Sequence, residues 1–94
     1  MLDLSANGMS EFPEEVKDLK HLKELRLIHN RIQKVPQSFY TSNPHNPLEI
    51  FIINNNPLQE LDSQVRYLSK LKVLGVASTE ITKLPPQIIQ LKNL

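Results

Sequence analysis

The sequence predicts an α/β solenoid, with a short-stranded parallel sheet on its concave side and helical, 3₁₀ or irregular arms on its convex side. One pattern occurs four times, in steps of 23, 26 and 23 residues, as in stacked coils that bury together what one coil cannot bury alone. The copies are aligned on Asn7, Asn30, Asn56 and Thr79. Four internal columns are apolar in every copy, although only 39% of the chain is hydrophobic. These columns begin at Leu2, Leu4, Met9 and Phe12.

Each copy contains a short stretch in which core-facing apolar residues alternate with outward residues, as on a strand with one buried face. Successive strands are separated by a full coil of chain, so we expect them to pair in parallel, about 4.8 Å apart. The side chains that face the core then form two rows across the sheet. One row is Leu2, Leu25, Phe51 and Leu74, and the other is Leu4, Leu27, Ile53 and Val76.

An asparagine follows the strand in the first three copies, at the point where the chain turns inward. A buried amide can donate to and accept from backbone groups that such a turn leaves unpaired. The sequence therefore predicts a structural ladder formed by Asn7, Asn30, Asn56 and Thr79. Because a hydroxyl has one donor where an amide has two, we expect the ladder to be weaker at Thr79.

The return arms differ between copies. Apolar residues spaced by three in the arms of residues 14–21 and 63–70 predict a helical or 3₁₀ turn. The second arm, residues 37–47, is longer and contains Pro44 and Pro47. Proline removes a backbone donor and disfavours helix at the residue before it. We therefore expect this arm to carry its three extra residues as an irregular surface loop.

The columns resemble the pattern of the leucine-rich repeat family, in which a leucine-spaced strand is followed by an asparagine, another aliphatic residue and a return arm. The resemblance covers essentially the whole chain. A trailing motif, Pro-x-x-aliphatic-x-x-Leu, is similar to the 23-residue subclass common in intracellular signalling scaffolds and bacterial repeat proteins. It occurs at Pro13, Val16 and Leu19 and again at Pro85, Ile88 and Leu91. The resemblance implies a right-handed superhelix that recognises another protein without catalysing a reaction.

Composition argues against several classes of partner. The chain has 11 Lys and Arg residues against 10 Asp and Glu residues, so its net charge of +1 is too small to hold nucleic acid or an anionic membrane by charge alone. It contains no cysteine for a disulfide or a thiolate metal site. No apolar run approaches the roughly 20 residues of a membrane span. We therefore expect no nucleic-acid and no membrane partner, with a cytoplasmic setting as the default.

No set of residues predicts catalysis, a metal site or a cofactor. The three histidines lie in different parts of different copies, without the i, i+4 spacing of ligands on one helical face. They are His21, His29 and His45. Ser5, His29 and Asp3 fall on neighbouring strands, but a nucleophile also needs a buried orienting acid and an oxyanion hole. We therefore expect a protein that is not an enzyme.

Large aliphatic side chains cluster on the outward side of the strands, the concave face. Single exposed aliphatic residues simply raise strand propensity, but a contiguous apolar patch with a polar rim is typical of a protein-binding surface. The predicted partner-binding residues are Arg26, Ile28, His29, Ile50, Ile52, Asn54, Asn55 and Val73. Asp3 and Arg26, as lateral neighbours on this face, are expected to form an ion pair.

The domain prediction is a single domain, residues 1–94, of about four repeats that span 1–21, 22–47, 48–70 and 71–94, without polar end caps. Two other functions stay open beside recognition of a partner. Uncapped ends would allow self-association into a homo-oligomer, which the size of the protein in solution tests. Alternatively, the repeats are the substrate-targeting segment of a larger enzyme or signalling protein.

Overall fold

The sheet of the solenoid consists of four short parallel strands. A computed structural model describes residues 1–94 and contains the strands β1 (Leu2–Asp3), β2 (Glu24–Arg26), β3 (Ile50–Ile52) and β4 (Val73–Gly75), in that order across one sheet. The strands pair in the expected register. One core-facing row runs through Leu2, Leu25, Phe51 and Leu74. The predicted α/β solenoid with a parallel sheet is therefore confirmed.

Backbone hydrogen bonds between the coils continue past the ends of the strands. The amide of Leu27 donates to the carbonyl of Ile52 over 2.8 Å, and the amide of Ile53 donates to the carbonyl of Gly75 over 2.8 Å. Other amides donate back to the preceding coil, as that of Ile50 does to the carbonyl of Lys23 over 3.0 Å. Because a parallel ladder has bonds in both directions, each coil is held in register by its neighbour.

Seventeen buried apolar residues form one continuous cluster between the sheet and the arms. In the two inner strands, Leu25 and Phe51 are both 0% exposed. Their counterparts in the outer strands, Leu2 and Leu74, are only half-buried. An outer strand has a neighbour on one side alone, so its core-facing side chain keeps contact with solvent.

Three of the four arms contain a 3₁₀ helix, at Glu14–Asp18, Ser63–Tyr67 and Pro86–Gln90. In each, the residue before the helix is extended, which directs the chain away from the sheet before it turns. Asp62 caps the second of these helices, because its carboxylate accepts from the amide of Gln64 over 2.8 Å. The helical turns expected within residues 14–21 and 63–70 are therefore present.

The second arm begins with an α-helical turn, α1 (Gln37–Thr41), where the other arms have a 3₁₀ helix, and the irregular stretch expected in this arm follows it. The reason is packing. The ring of Phe39 lies 4.7 Å from that of Phe12 and 5.3 Å from that of Phe51, measured between ring centroids. The next residue, Tyr40, is also buried. Two adjacent aromatic side chains thus hold the start of this arm against the core.

The irregular remainder of this arm is closed by two asparagine side chains. The Oδ1 atom of Asn43 accepts from the amide of His45 over 3.1 Å, and that of Asn46 accepts from the amide of Leu48 over 3.0 Å. Both are local turns of the kind that Asn favours beside proline. They return the chain from α1 to the start of β3.

Two buried asparagine side chains join neighbouring coils. Asn56 is 2% exposed. Its Nδ2 atom donates to the carbonyl of Leu27 in the preceding coil, over 2.8 Å, and to that of Ile53 in its own coil, over 3.1 Å. Its Oδ1 atom accepts from the amide of Ile32 over 3.0 Å. Asn30 makes the equivalent contacts one coil earlier.

The two ends of this series are different. The hydroxyl of Thr79 donates to the carbonyl of Val76, 2.8 Å away in its own coil, and its side chain makes no hydrogen bond to the preceding coil. The exposed side chain of Asn7 likewise bonds only within its own coil, over 2.8 Å. Of these four ladder positions, only Asn30 and Asn56 therefore cross-link coils through their side chains.

The residue before each of these four positions has a left-handed backbone. The φ angles are 58° at Ala6, 57° at His29, 59° at Asn55 and 54° at Ser78. Most residues other than glycine adopt this conformation at a cost of roughly 1–2 kcal/mol, although Asn, Asp and His adopt it more often than the rest. The inward turn thus has the same left-handed geometry in all four coils, and the second and third coils place a favoured residue type there.

Replacing Asn56 by Ala is expected to lower the free energy of unfolding by about 3 kcal/mol, because buried backbone groups on two coils lose their partner. Thr79→Ala is the matched control and should cost about 1 kcal/mol or less, since it breaks bonds within one coil only. Urea unfolding followed by circular dichroism measures both values. Equal losses in the two variants would contradict a cross-linking role for Asn56.

Candidate partner-binding surface

The concave face is organised in rows that the strand register defines. Glu24, Ile50 and Val73 are direct lateral neighbours in one row. Asp3, Arg26, Ile52 and Gly75 form the next row. Because side chains on one face of a parallel sheet stand about 4.8 Å apart between strands, each row is a continuous surface. The predicted partner-binding residues on the strands therefore do lie together.

The aliphatic patch, defined here as Ile28, Ile50, Ile52 and Val73, extends over three adjacent coils. Val73 is 46% exposed, whereas the three isoleucines are half-buried. Lateral packing between neighbouring strands covers part of each isoleucine, and what is left exposed forms a shallow apolar surface.

A charged margin borders the patch on the side of β1 and β2. The expected pair between Asp3 and Arg26 does not form. Arg26 instead pairs with Glu24, two residues earlier on the same face of the same strand. This ion pair requires little loss of side-chain conformational entropy, because both residues are held by the same short strand. The guanidinium of Arg26 therefore reaches the patch as half of an ion pair.

Asp3 has a different set of partners. Its Oδ1 atom accepts from the amide of Ser5 over 3.0 Å. Hydrogen bonds from the Ser5 hydroxyl, then from the Ser5 amide, and to a lesser extent the charge of Arg26, lower the pKa of Asp3 below its usual range. Asp3 is thus an exposed, ionised carboxylate beside the patch.

One column beyond the strands holds the coils together through side chains of the concave face. The Oδ1 atom of Asn54 accepts from the amide of Ala77 in the next coil over 2.9 Å. The hydroxyl of Ser5 accepts from the amide of Ile28 in the same way, over 3.0 Å. Sequence reasoning missed the role of Ser5 and treated Asn54 as free for a partner. The signal in the sequence was a small polar residue two positions after the strand, which is present in the first and third copies as Ser5 and Asn54.

His29 and Asn55, both predicted to contact a partner, lie at the left-handed turn at the edge of the face. Both are exposed. Neither makes a side-chain hydrogen bond within the chain. Their position is fixed by the turn, so they form a rigid polar rim beside Ile28 and Asn54.

Gly75 is the point where the face is packed most tightly. A Cβ atom at this residue would lie 2.9 Å from Oδ1 of Asn54 and 3.0 Å from two side-chain carbons of Ile52. These side chains therefore lean over β4 and use the space that the missing Cβ leaves. The glycine is required by neighbours within the chain, and it leaves no open notch for a partner.

The face contains no assembled reactive site. No three His, Cys, Asp or Glu side chains of the structure lie close enough together to hold a metal ion. No helix is both long enough and apolar enough to cross a membrane. What the arrangement offers chemically is an apolar surface with one ionised acid, one ion pair and polar turns along its border.

Comparisons with known proteins agree with this architecture. A leucine-rich repeat and calponin homology domain-containing protein of Drosophila melanogaster is 34% identical over 112 aligned positions, which cover 98% of this chain and 14% of that protein. A leucine-rich repeat serine/threonine-protein kinase of Caenorhabditis elegans is 33% identical over 89 positions, covering 93% of this chain and 4% of the kinase. No family model matches the sequence.

A solved structure of a leucine-rich repeat protein from Leptospira interrogans superimposes with a TM-score of 0.86 at 32% sequence identity. The match covers 99% of this chain and 23% of that protein. The chain thus spans less than a quarter of the length of each of these similar proteins. In all of them, the aligned part is one segment of a longer protein.

Gly75→Ala is expected to lower the free energy of unfolding by about 1–2 kcal/mol, because the new Cβ displaces Asn54 from the amide of Ala77. In the background of Asn54→Ala, the same glycine replacement should cost measurably less, since the bond is already absent. A double-mutant cycle by urea unfolding gives the coupling. Additive effects would show that Asn54 is not what the methyl group displaces.

Proposed function

Because the chain belongs to the leucine-rich repeat family, we propose that it is a non-catalytic recognition module that binds a protein partner through its concave face. Similar repeats occur in proteins whose names combine them with a calponin homology domain, a G-protein coupled receptor and a serine/threonine kinase. These proteins have no single reaction in common, so a role in recognition accounts for the repeats better than a shared catalytic role does.

The aliphatic patch is the observation that carries this proposal. Isolated aliphatic residues on a sheet need no explanation, but here Ile50 and Val73 are direct lateral neighbours, and Ile52 follows Ile50 on the same face of β3. Burial of such a patch against a partner is favourable by roughly 25 cal/mol for each Å² removed from water. The charged margin and the polar turns would then form the rim that excludes water and sets the orientation.

The predicted residues have unequal roles in this proposal. Ile52 is the anchor, because it lies on β3 between Arg26 and Gly75, two residues after Ile50 on the same face of the strand. Arg26 offers a guanidinium whose direction Glu24 has already fixed. Asn54 contributes indirectly, since its carbonyl oxygen is engaged with the neighbouring coil.

The nematode kinase supports a second candidate function. Because the aligned region is a small part of that kinase, the repeats here would serve as the targeting segment of a longer signalling protein. The binding surface is the same in both cases, and the two differ in what the bound partner is used for. A longer reading frame with a catalytic domain would decide between them.

Ile52→Asp is expected to weaken partner binding by at least about 30-fold, because it replaces the apolar anchor by a carboxylate that must lose its hydration when the partner binds. The cost to folding should be about 1 kcal/mol or less, since the residue is half-buried on the outer side of the sheet. Affinity capture on the folded protein, followed by a titration with the captured partner, measures the change.

Ile89→Asp is the matched control, because Ile89 is 84% exposed and lies in the 3₁₀ helix of the last arm. A partner that is lost with Ile52→Asp and retained with Ile89→Asp supports the concave face. If affinity is the same in both variants, binding occurs elsewhere. Sedimentation of each variant shows whether self-association accounts for the result.

A further inference from the structure

A groove runs along one flank of the solenoid, between the inward turns and the arms of the first three coils. It consists of two adjoining cavities of about 750 and 370 Å³. The two cavities share Gln33, Lys34 and Pro36, so the surface is continuous from the first coil to the third. None of the predicted partner-binding residues lines this flank groove.

The flank groove is acidic although the chain as a whole carries a net charge of +1. Glu11 and Glu14 line its smaller part, and Glu60 and Asp62 line its larger part. Lys34 is the single basic residue, which gives a local charge of 1 − 4 = −3. The ion pairs of the structure lie elsewhere, so these carboxylates are not neutralised within the chain.

The buried hydroxyl of Tyr40 is a second, independent feature of the flank groove. Its hydroxyl is buried and has no hydrogen-bond partner. The residue lines the larger cavity together with Asp62. Burial, and then the charge of Asp62, raise the pKa of Tyr40 well above its usual range, so the hydroxyl stays protonated. A buried hydroxyl without a partner is costly, and a ligand that bonds to it removes that cost.

The α-helical turn of the second arm creates this feature. The equivalent residues in the 3₁₀ arms are Lys17, Arg66 and Ile89, and none of them is buried. Tighter 3₁₀ winding keeps the residue after the buried one on the outside, whereas the wider α-helical turn rotates Tyr40 inward. The hydroxyl is therefore placed between coils in this arm alone.

We propose that the flank groove binds a basic peptide segment of a protein partner, with one arginine or lysine side chain inserted between Tyr40, Glu60 and Asp62. A guanidinium has five N–H donors, which suit two carboxylates and the lone pairs of a phenolic oxygen. The amide of Gln37 now donates to Asp62 over 3.3 Å in an exposed bond. The incoming cation takes the place of that weak donor.

The test uses the whole 94-residue chain and acetyl-triarginine amide as the probe, titrated by nuclear magnetic resonance. Amide signals of the flank groove should shift with saturation, and the acetyl-tricitrulline analogue, which has the same shape without charge, should not bind. Glu60→Gln should weaken binding roughly two- to fivefold, as expected for an exposed ion pair. Tyr40→Phe should weaken it about tenfold, because it removes only the buried acceptor.

Two variants serve as controls. Glu80→Gln removes one exposed acid of the neighbouring coil that does not line the groove, and it should leave affinity within about twofold, because an acid without direct contact to the cation contributes little. Ile52→Asp alters the concave face and should leave shifts in the groove in place, which separates this proposal from the one above. Tyr40→Phe should also raise the melting temperature by about 4 °C, which shows that the variant is folded.

Three results would overturn the proposal. Equal binding of the arginine and citrulline peptides, or no binding of either, excludes recognition of a cation. An equal loss with Glu80→Gln and Glu60→Gln means that the attraction is diffuse. Unchanged affinity of Tyr40→Phe means that the hydroxyl is buried only because the ring packs in the core, and that it takes no part in binding.

Discussion

The stability of each coil depends on burial of its apolar row by the coils on either side. Leu25 and Phe51 have a neighbour on both sides and are 0% exposed, while Leu2 and Leu74 have one neighbour and are half-buried. A single coil has no interior of its own, so the fold exists only through nearest-neighbour contacts. Stability is then expected to be highest at the second and third coils and to decline toward both ends.

Those same two coils carry the polar cross-links. Asn30 and Asn56 satisfy backbone groups on adjacent coils, whereas Asn7 and Thr79 bond within one coil. A buried amide offsets its desolvation only where its donors and acceptor find partners, and both inner asparagines find them in their own coil and in the preceding one. Asn7 has no preceding coil, whereas Thr79 has one but bonds only within its own coil. Apolar burial and the asparagine ladder are therefore strong in the same two coils, although for different reasons.

The sequence was sufficient to predict the parts of the fold that repeat. Column alignment gave the strands and their register, because four copies average out the local variation of any one copy. It did not predict the α-helical turn of the second arm, where Phe39 packs against the rings of Phe12 and Phe51 from other coils, which is a tertiary effect without local signal. It also suggested an ion pair between Arg26 and Asp3 on neighbouring strands, whereas Arg26 pairs with Glu24 on its own strand.

Prediction of the binding surface was limited because some outward residues also have structural roles within the solenoid. Asn54 bonds to the next coil, and His29 and Asn55 occupy the strained turn, so three of the eight predicted positions also have structural duties. The net charge of the whole chain likewise did not predict that the flank groove is acidic. The molecule measures 30 × 28 × 19 Å, several times the Debye length of about 8 Å at physiological salt. A ligand therefore responds to the four carboxylates nearest to it, and the basic residues that balance them on other faces are largely screened.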